Sequence, residues 1–217
     1  VRRERFDLEG ASLTMDTRKV NGRDAKLAVI TLPSFYNDPR RSASVDLRNL
    51  IAQAQREGAE GIVLNLMHNG GGNLKEGIAV PGLFMAGGNM VSTQNEAGRV
   101  ESKPDFDKNI AYNGPLVVLT GHDSASASEI AAGALKDYGR AVIVGDGRTF
   151  GKGSVQQVLP PPQGTPGKTT ITQAMFFRPG GASTQHKGVE SQITLPSAMA
   201  GEGIGEEREP YALPPRT

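Results

Sequence analysis

The stretch that decides the fold runs from Leu116 to Gly145: LVVLTGHDSASASEIAAGALKDYGRAVIVG. Its two ends, LVVLT (116–120) and AVIVG (141–145), are short β-branched apolar runs, the pattern of strands buried on both faces. Between them Ile130, Ala134, Leu135 and Tyr138 recur at helical spacing, which predicts a helix over 129–138. A strand, a helix and a second strand in close succession make a crossover between parallel strands. The small polar segment Asp123–Ser128 then falls beyond the carboxyl end of a strand, where α/β sheets gather ligand groups.

Working outward, the same alternation continues. Upstream, KLAVITL (26–32) reads as a buried strand stopped by Pro33. Arg41 to Gly58 reads as a helix with Leu47, Leu50, Ile51 and Ala54 on one stripe and Gly58 at its end. IVLNL (62–66) is another strand, running into Asn69-Gly70-Gly71-Gly72 and a helical segment from Leu74 to about Met85. Met90–Thr93 and Arg99–Glu101 flank a hairpin at Gln94–Gly98. Downstream lie a glycine-punctuated loop (147–153), a late strand (169–177) and a last one at Ile193–Leu195. The first twenty-five residues are polar and basic, with a turn at Asn21-Gly22; the tail from Gly201 is rich in Gly, Glu and Pro. The fold class is therefore α/β with a largely parallel sheet.

Composition narrows the chemistry. With 217 residues the chain suits one domain or slightly more, and it is long enough to bury a core without staples. A net charge of +1 gives no cause to expect nucleic acid or an anionic membrane as the main partner. No apolar run approaches the roughly 20 residues of a membrane span. The absence of cysteine excludes disulfides, thiolate metal sites and a cysteine nucleophile. Only His68, His122 and His186 are available, too few for a multi-histidine metal site, so no metal or cofactor is expected. The opening Val1-Arg2-Arg3-Glu4 reads as a processed product or an excised domain.

Three motifs carry chemistry. In Ser124-Ala125-Ser126-Ala127-Ser128-Glu129 a strand feeds a serine and then a helix, where free N–H groups and the positive end of the helix dipole stabilise an oxyanion. The plain alternative is a capping box, since Ser126 and Glu129 have the S-x-x-E spacing. Asn69-Gly70-Gly71-Gly72 lets backbone N–H groups approach a substrate closely, or is simply a turn. In Gly151-Lys152-Gly153 a phosphate loop fails on spacing, because Asp146 stands where glycine is required. A lysine pressed into a cleft by flanking glycines is instead a candidate general base, as in Ser–Lys hydrolases, or an exposed loop residue. Each histidine is a rival base, with His68, just before the glycine run, the better one.

Taken together, in order and spacing, these segments resemble the C-terminal processing peptidases, or tail-specific proteases. The shared pieces are SASASEI (124–130), Lys136-Asp137-Tyr138-Gly139-Arg140-Ala141, Thr149-Phe150-Gly151-Lys152-Gly153 with Gln156, and Ser183-Thr184-Gln185-His186-Lys187-Gly188-Val189. The resemblance covers roughly Lys26 to Pro196 and is nearest the bacterial periplasmic branch. It implies a crotonase-like (ClpP/crotonase) spiral of strands and helices with a β-rich extension. It implies Ser126 as nucleophile, Lys152 as general base, Gln156 as the group orienting it, and an oxyanion hole from Ala127 and either Gly71 or Gly72. Asp137 matches an acidic position of the family; its place inside the helix suggests a structural role, pairing with Arg140.

The resemblance further implies protein or peptide substrates with apolar C-termini, and an exported or periplasmic setting. It implies a PDZ domain upstream, for which the first 25 residues are too short. The expected organisation is an N-terminal basic segment (1–25), a strand leading in from that PDZ domain; a catalytic core (26–200); and an irregular tail (201–217). Two departures stand out. Asn65-Leu66-Met67 replaces the family's Asp-Leu-Arg, so the glycine loop is expected to be held differently. The loop Asp146-Gly147-Arg148-Thr149 is one residue longer than usual. The alternatives are a non-catalytic binding module and an acyl-CoA enzyme on the same fold. Either would leave the Ser126, Lys152 and Gln156 set unexplained. An i, i+4 contact between Lys152 and Gln156 calls for a helical turn or sharp bend, because an extended chain separates such residues by about 13 Å.

Overall fold

The computed structural model describes residues 10–161, 167–197 and 203–216. The first nine residues of the N-terminal segment and the boundary at 198–202 fall outside the described residues. Two sheets make up the molecule. The larger has six strands: β1 (Ser12–Val20), β2 (Arg23–Thr31), β3 (Gly61–Asn65), β6 (Leu116–Thr120), β7 (Val142–Gly145) and β10 (Ile193–Thr194), in the order β1-β2-β3-β6-β7-β10. The β1–β2 pair is antiparallel and every other pair in this sheet is parallel. Three helices accompany it: α1 (Ala43–Arg56), α2 (Leu74–Gly82) and α3 (Ala127–Asp137). The second sheet is antiparallel, with β4 (Gly88–Asn95), β5 (Val100–Asp105), β8 (Ser154–Leu159) and β9 (Thr169–Phe177) in the order β5-β4-β9-β8.

The sequence pattern explains most of this. Ile30, Leu64, Val118 and Ile143 sit on four neighbouring strands and are wholly buried, joined by Leu47 and Ile51 from α1 and Leu135 from α3. The N-terminal segment leads directly into the sheet. Asn21 and Gly22, at φ 50° and 81°, form the tight turn that folds β1 back along β2. The sheet thus begins before residue 26, and a boundary there would cut β2. The hairpin around Gln94–Gly98 is present as β4 and β5. Helix α2 stops at Gly82, short of Met85, with Pro81 in its last turn. The tail contains a single 3₁₀ turn at Glu206–Arg208, packed against the body by hydrogen bonds.

The second sheet packs on helices α2 and α3 through a small apolar cluster. Val91 of β4, Ile130 of α3 and Phe176 of β9 are buried together, with Leu74 and Ile78 of α2 and Val155 of β8 packed against them. This cluster sets the second sheet beside the N-terminus of α3. Among the described residues, no helix is long and apolar enough to cross a membrane.

Arg140, just past α3, fastens two separate loops through three bonds. It donates to the carbonyls of Phe84 (2.7 Å), Tyr112 (3.0 Å) and Gly114 (2.9 Å). Asp137 does not pair with it. That carboxylate binds the guanidinium of Arg178 and accepts from Gly180 N–H at 3.0 Å, tying α3 to the end of β9. The pairing with Arg178 is long-range and could not be inferred from neighbours in sequence. Replacing Arg140 by Met, which keeps the stem and removes the donors, is expected to cost at least about 2 kcal/mol, since three buried-side carbonyls lose charge-assisted bonds. The drop in urea midpoint measures it, and a midpoint equal to the unaltered chain's contradicts this account.

Candidate active site

Strand β6 ends at Thr120, and the chain turns through Gly121–Ala125 into α3. Ser126 stands at the N-cap with φ 55° and ψ −112°, a conformation rare for a residue with a side chain. Such a sharp strand-to-helix turn projects the serine side chain away from the backbone. Its neighbours in the SASAS run do something different. Ser124 and Ser128 are both wholly buried. The Ser124 hydroxyl donates to Leu66 O at 2.8 Å, and that of Ser128 to Asn69 O at 2.7 Å. Alternate serines therefore pin the turn around Ser126 to the 66–69 segment that leads into the glycines, and the middle one lines the cleft.

The glycine loop is held by Asn69, also wholly buried. Its amide donates to Leu32 O at 2.8 Å and its Oδ1 accepts from Gly71 N–H at 2.9 Å. Phe35 N–H donates to Gly71 O, and Asn73 N–H donates to Phe35 O. Asn65 takes a local role, accepting from Met67 N–H and donating to Thr31 Oγ1. The loop is thus fixed without an Asp-Leu-Arg segment. Gly71 has φ 99°, and a Cβ there would lie 2.8 Å from Ser126 Cβ and 2.9 Å from Ala127 N. Only glycine permits that approach. Since the Gly71 N–H is already committed to Asn69, Gly71 serves the site by its closeness and not as a donor. Gly70, Gly72 and Ala127 do line the cleft.

Glu129 joins the two halves of the site. It is wholly buried and accepts four hydrogen bonds. Oε2 receives Ser126 N–H at 2.8 Å and Lys152 N–H at 2.9 Å; Oε1 receives Gly151 N–H at 2.7 Å and the Thr149 hydroxyl at 2.6 Å. Burial pushes its carboxyl up to about 7, and the four donors pull the other way. The capping spacing noted in the sequence is therefore used, but its glutamate reaches past the helix to the lysine loop.

Lys152 and Gln156 meet without the helical turn. Lys152 precedes β8, which runs from Ser154 through Gln156 to Leu159. Lys152 Nζ donates to Gln156 Oε1 at 3.1 Å. Lys152 lies outside the strand, in the irregular segment 151–153, and the two long side chains span the remaining gap to each other. The β8–β9 register also shifts between Val155 and Gln156. No hydrogen bond joins the Ser126 hydroxyl to the Lys152 amine among the described residues. Both line one cleft of about 500 Å³, with Gln156, Leu74, Ile130, Val155 and Phe176 among its walls. None of the three histidines lines it. His68 Nδ1 instead sits 2.6 Å from Asp123 Oδ2.

Comparison with known proteins follows this geometry. The chain is 36% identical over 217 residues to the tail-specific protease of Haemophilus influenzae, covering 97% of this chain and 30% of the relative. It is 37% identical over 176 residues to the carboxy-terminal-processing protease of Bartonella bacilliformis, covering 79% of this chain and 39% of the relative. The solved photosystem II D1 C-terminal processing protease superposes with a TM-score of 0.76 at 28% identity, over 89% of this chain and 50% of that one. The chain thus spans between 30% and 50% of these relatives' length. A family model matches residues 26–195, and the chain belongs to Peptidase family S41.

Proposed function

We propose that this chain is the catalytic core of a serine endopeptidase with a Ser126–Lys152 dyad, built on a crotonase-like spiral. The observation that carries the reading is Glu129: one buried carboxylate holds the backbone of both Ser126 and Lys152 at the mouth of one cleft. In this mechanism Lys152 Nζ takes the Ser126 hydroxyl proton as Oγ attacks the scissile carbonyl carbon. The N–H groups of Ala127 and Gly72 receive the oxyanion, at the positive end of α3. The lysine then returns the proton to the departing amine, and water cleaves the acyl-enzyme by the same route. Gln156 orients the amine. No cofactor enters these steps.

The relatives' printed names concern C-terminal processing and tail-specific cleavage. By extension, the substrates of this protein are polypeptides chosen by apolar C-terminal tails, in an exported or periplasmic setting. In the whole protein a PDZ domain captures those tails by strand addition, and residues 26–200 form the cleaving unit. The apolar walls of the cleft, Leu74, Ile130, Val155 and Phe176, suit an apolar substrate residue. A non-catalytic binding module or an acyl-CoA enzyme would have no use for a strained serine facing a glutamine-bound amine.

Three outcomes test this. Ser126→Ala is expected to abolish cleavage of an unfolded protein with an apolar C-terminus while leaving the melt within about 1–2 kcal/mol. Ser124→Ala and Ser128→Ala each lose a buried bond worth about 1 kcal/mol and keep measurable turnover. A dead but stable Ser124→Ala beside an active Ser126→Ala would overturn the nucleophile assignment. Lys152→Arg keeps the positive charge and offers no proton acceptor, so kcat should fall by at least about 10²-fold. Sustained turnover by that variant would move the base to a histidine.

The third outcome concerns pH. Glu129 titrates near 7 in the fold against an ordinary 4.5. Between those values the native chain holds a proton that the unfolded chain has released. This group's stabilising contribution is therefore complete below the window and lost as pH rises through it. Activity runs the opposite way, because a protonated carboxyl turns a hydrogen toward its own donors. From about pH 5 to about pH 8 kcat should rise while the Glu129 contribution to the urea midpoint falls. Glu129→Gln, which sets an amide against two backbone donors, should have low kcat throughout, and full activity in that variant refutes the account.

A further inference from the structure

The four residues that present the lysine have every backbone polar group bonded. Phe150 N–H donates to Ser124 O, and Phe150 O accepts from Glu206 N–H. Gly151 N–H and Lys152 N–H go to Glu129, while Gly151 O accepts from His186 N–H. Lys152 O accepts from the Thr184 hydroxyl at 3.2 Å. Gly153 N–H donates to Gln185 Oε1 at 2.7 Å, and Gly153 O accepts from Phe176 N–H at 2.8 Å. The loop contributes no regular structure of its own, so its shape is imposed from outside.

Gln185 is the unusual member of that set. It is wholly buried, and its side chain has two ends in use. The carbonyl end holds Gly153; the amide end donates to Leu213 O at 2.7 Å and Glu206 Oε1 at 3.3 Å. A Cβ on Gly153 would lie 2.6 Å from Gln185 N, so glycine is what lets the two segments touch. The C-terminal segment reaches the loop twice more, through Glu206 N–H to Phe150 O and through Glu207 to Arg148.

From this we infer that Gln185 is a positioning residue for Lys152, and that it couples the lysine loop to the C-terminal segment 205–213. The inference rests on the Ser–Lys reading for its consequence, since a displaced loop misplaces the amine that takes the serine proton. Docking of the segment against Gln185 and Phe150 holds the loop where Lys152 faces the cleft. A misplacement of about 1 Å costs as much as 10²-fold in rate.

The test compares Gln185→Met and Gln185→Glu with the unaltered full chain. Met keeps the length and loses all three bonds; Glu keeps an acceptor for Gly153 N–H and turns a carboxylate on Leu213 O and Glu206. Both are expected to lower kcat and kcat/KM together by about tenfold or more, with KM within about twofold, as loss of transition-state alignment requires. In parallel, trace acetic anhydride labels the chain across a pH series, and mass spectrometry reads the acylation of Lys152 against the other lysines. The Lys152 profile should move in both variants while the rest stay put. This second readout needs no turnover, so a chain that cleaves nothing defeats the peptidase reading and still tests the positioning. Wild-type kcat and an unmoved Lys152 profile in Gln185→Met overturn the positioning role. A Gln185→Glu variant that matches wild type overturns the coupling to the C-terminal segment. Should Gln185→Met fail to fold, Thr184→Val against Thr184→Ser is read the same way: loss with Val and recovery with Ser supports a loop set from this strand end, and no difference between them refutes it.

Discussion

A carboxylate without solvent is unfavourable unless donors surround it. Glu129 has four, and they come from three places: the Ser126 turn, the threonine ahead of the lysine, and the backbone of the lysine loop itself. Its position three residues into α3 places it at the positive end of the helix dipole, which further favours the charge. The consequence is geometric. Two segments 26 positions apart in sequence share one oxygen atom, Oε2, so neither moves without the other.

That constraint explains the alternation in the SASAS run. A helix N-terminus that must hold a strained residue needs fastening on both sides. Ser124 and Ser128, two residues away in each direction from Ser126, provide it by bonding to the carbonyls of Leu66 and Asn69. The glycine loop is in turn held by Asn69 from beneath. The strain at Ser126 persists because its surroundings over-determine it.

Much of the fold was legible because the chain alternates buried strands with amphipathic helices. The runs at 116–120 and 169–177 coincide with strands, and the stripe Leu47, Ile51, Ala54 is the buried face of α1. What escaped was set by contacts between distant segments. Asp137 finds Arg178 forty-one residues on, where proximity in sequence pointed to Arg140. Gly71 and Gly72 look alike in sequence; only the buried side chain of Asn69 separates a committed N–H from one beside the cleft. The i, i+4 argument for Lys152 and Gln156 measured backbone separation along one strand, and neglected both the irregular segment that carries Lys152 and the reach of two long side chains. Glu129 carried a signal, its capping spacing, but that spacing describes a helix end and says nothing of a second segment 22 residues away.

The cleft's floor shows how stability and site are built from the same atoms. Ile130 and Phe176 are core residues of the small cluster that docks the second sheet against α3, and both also line the cleft. Leu74 and Val155 pack on that cluster from α2 and β8. In the proposed mechanism a substrate side chain entering there completes a hydrophobic contact already made from four elements, so one apolar surface receives the substrate and holds β8 in place. Among the described residues β8 is an edge strand, paired only with β9, and Lys152 lies two residues before its start. Filling the cleft therefore adds apolar contact on the flank of β8 where the sheet supplies no further strand. On the Ser–Lys proposal, binding energy is then available to steady the loop as the lysine takes the serine proton, which is the differential use of binding that catalysis depends on.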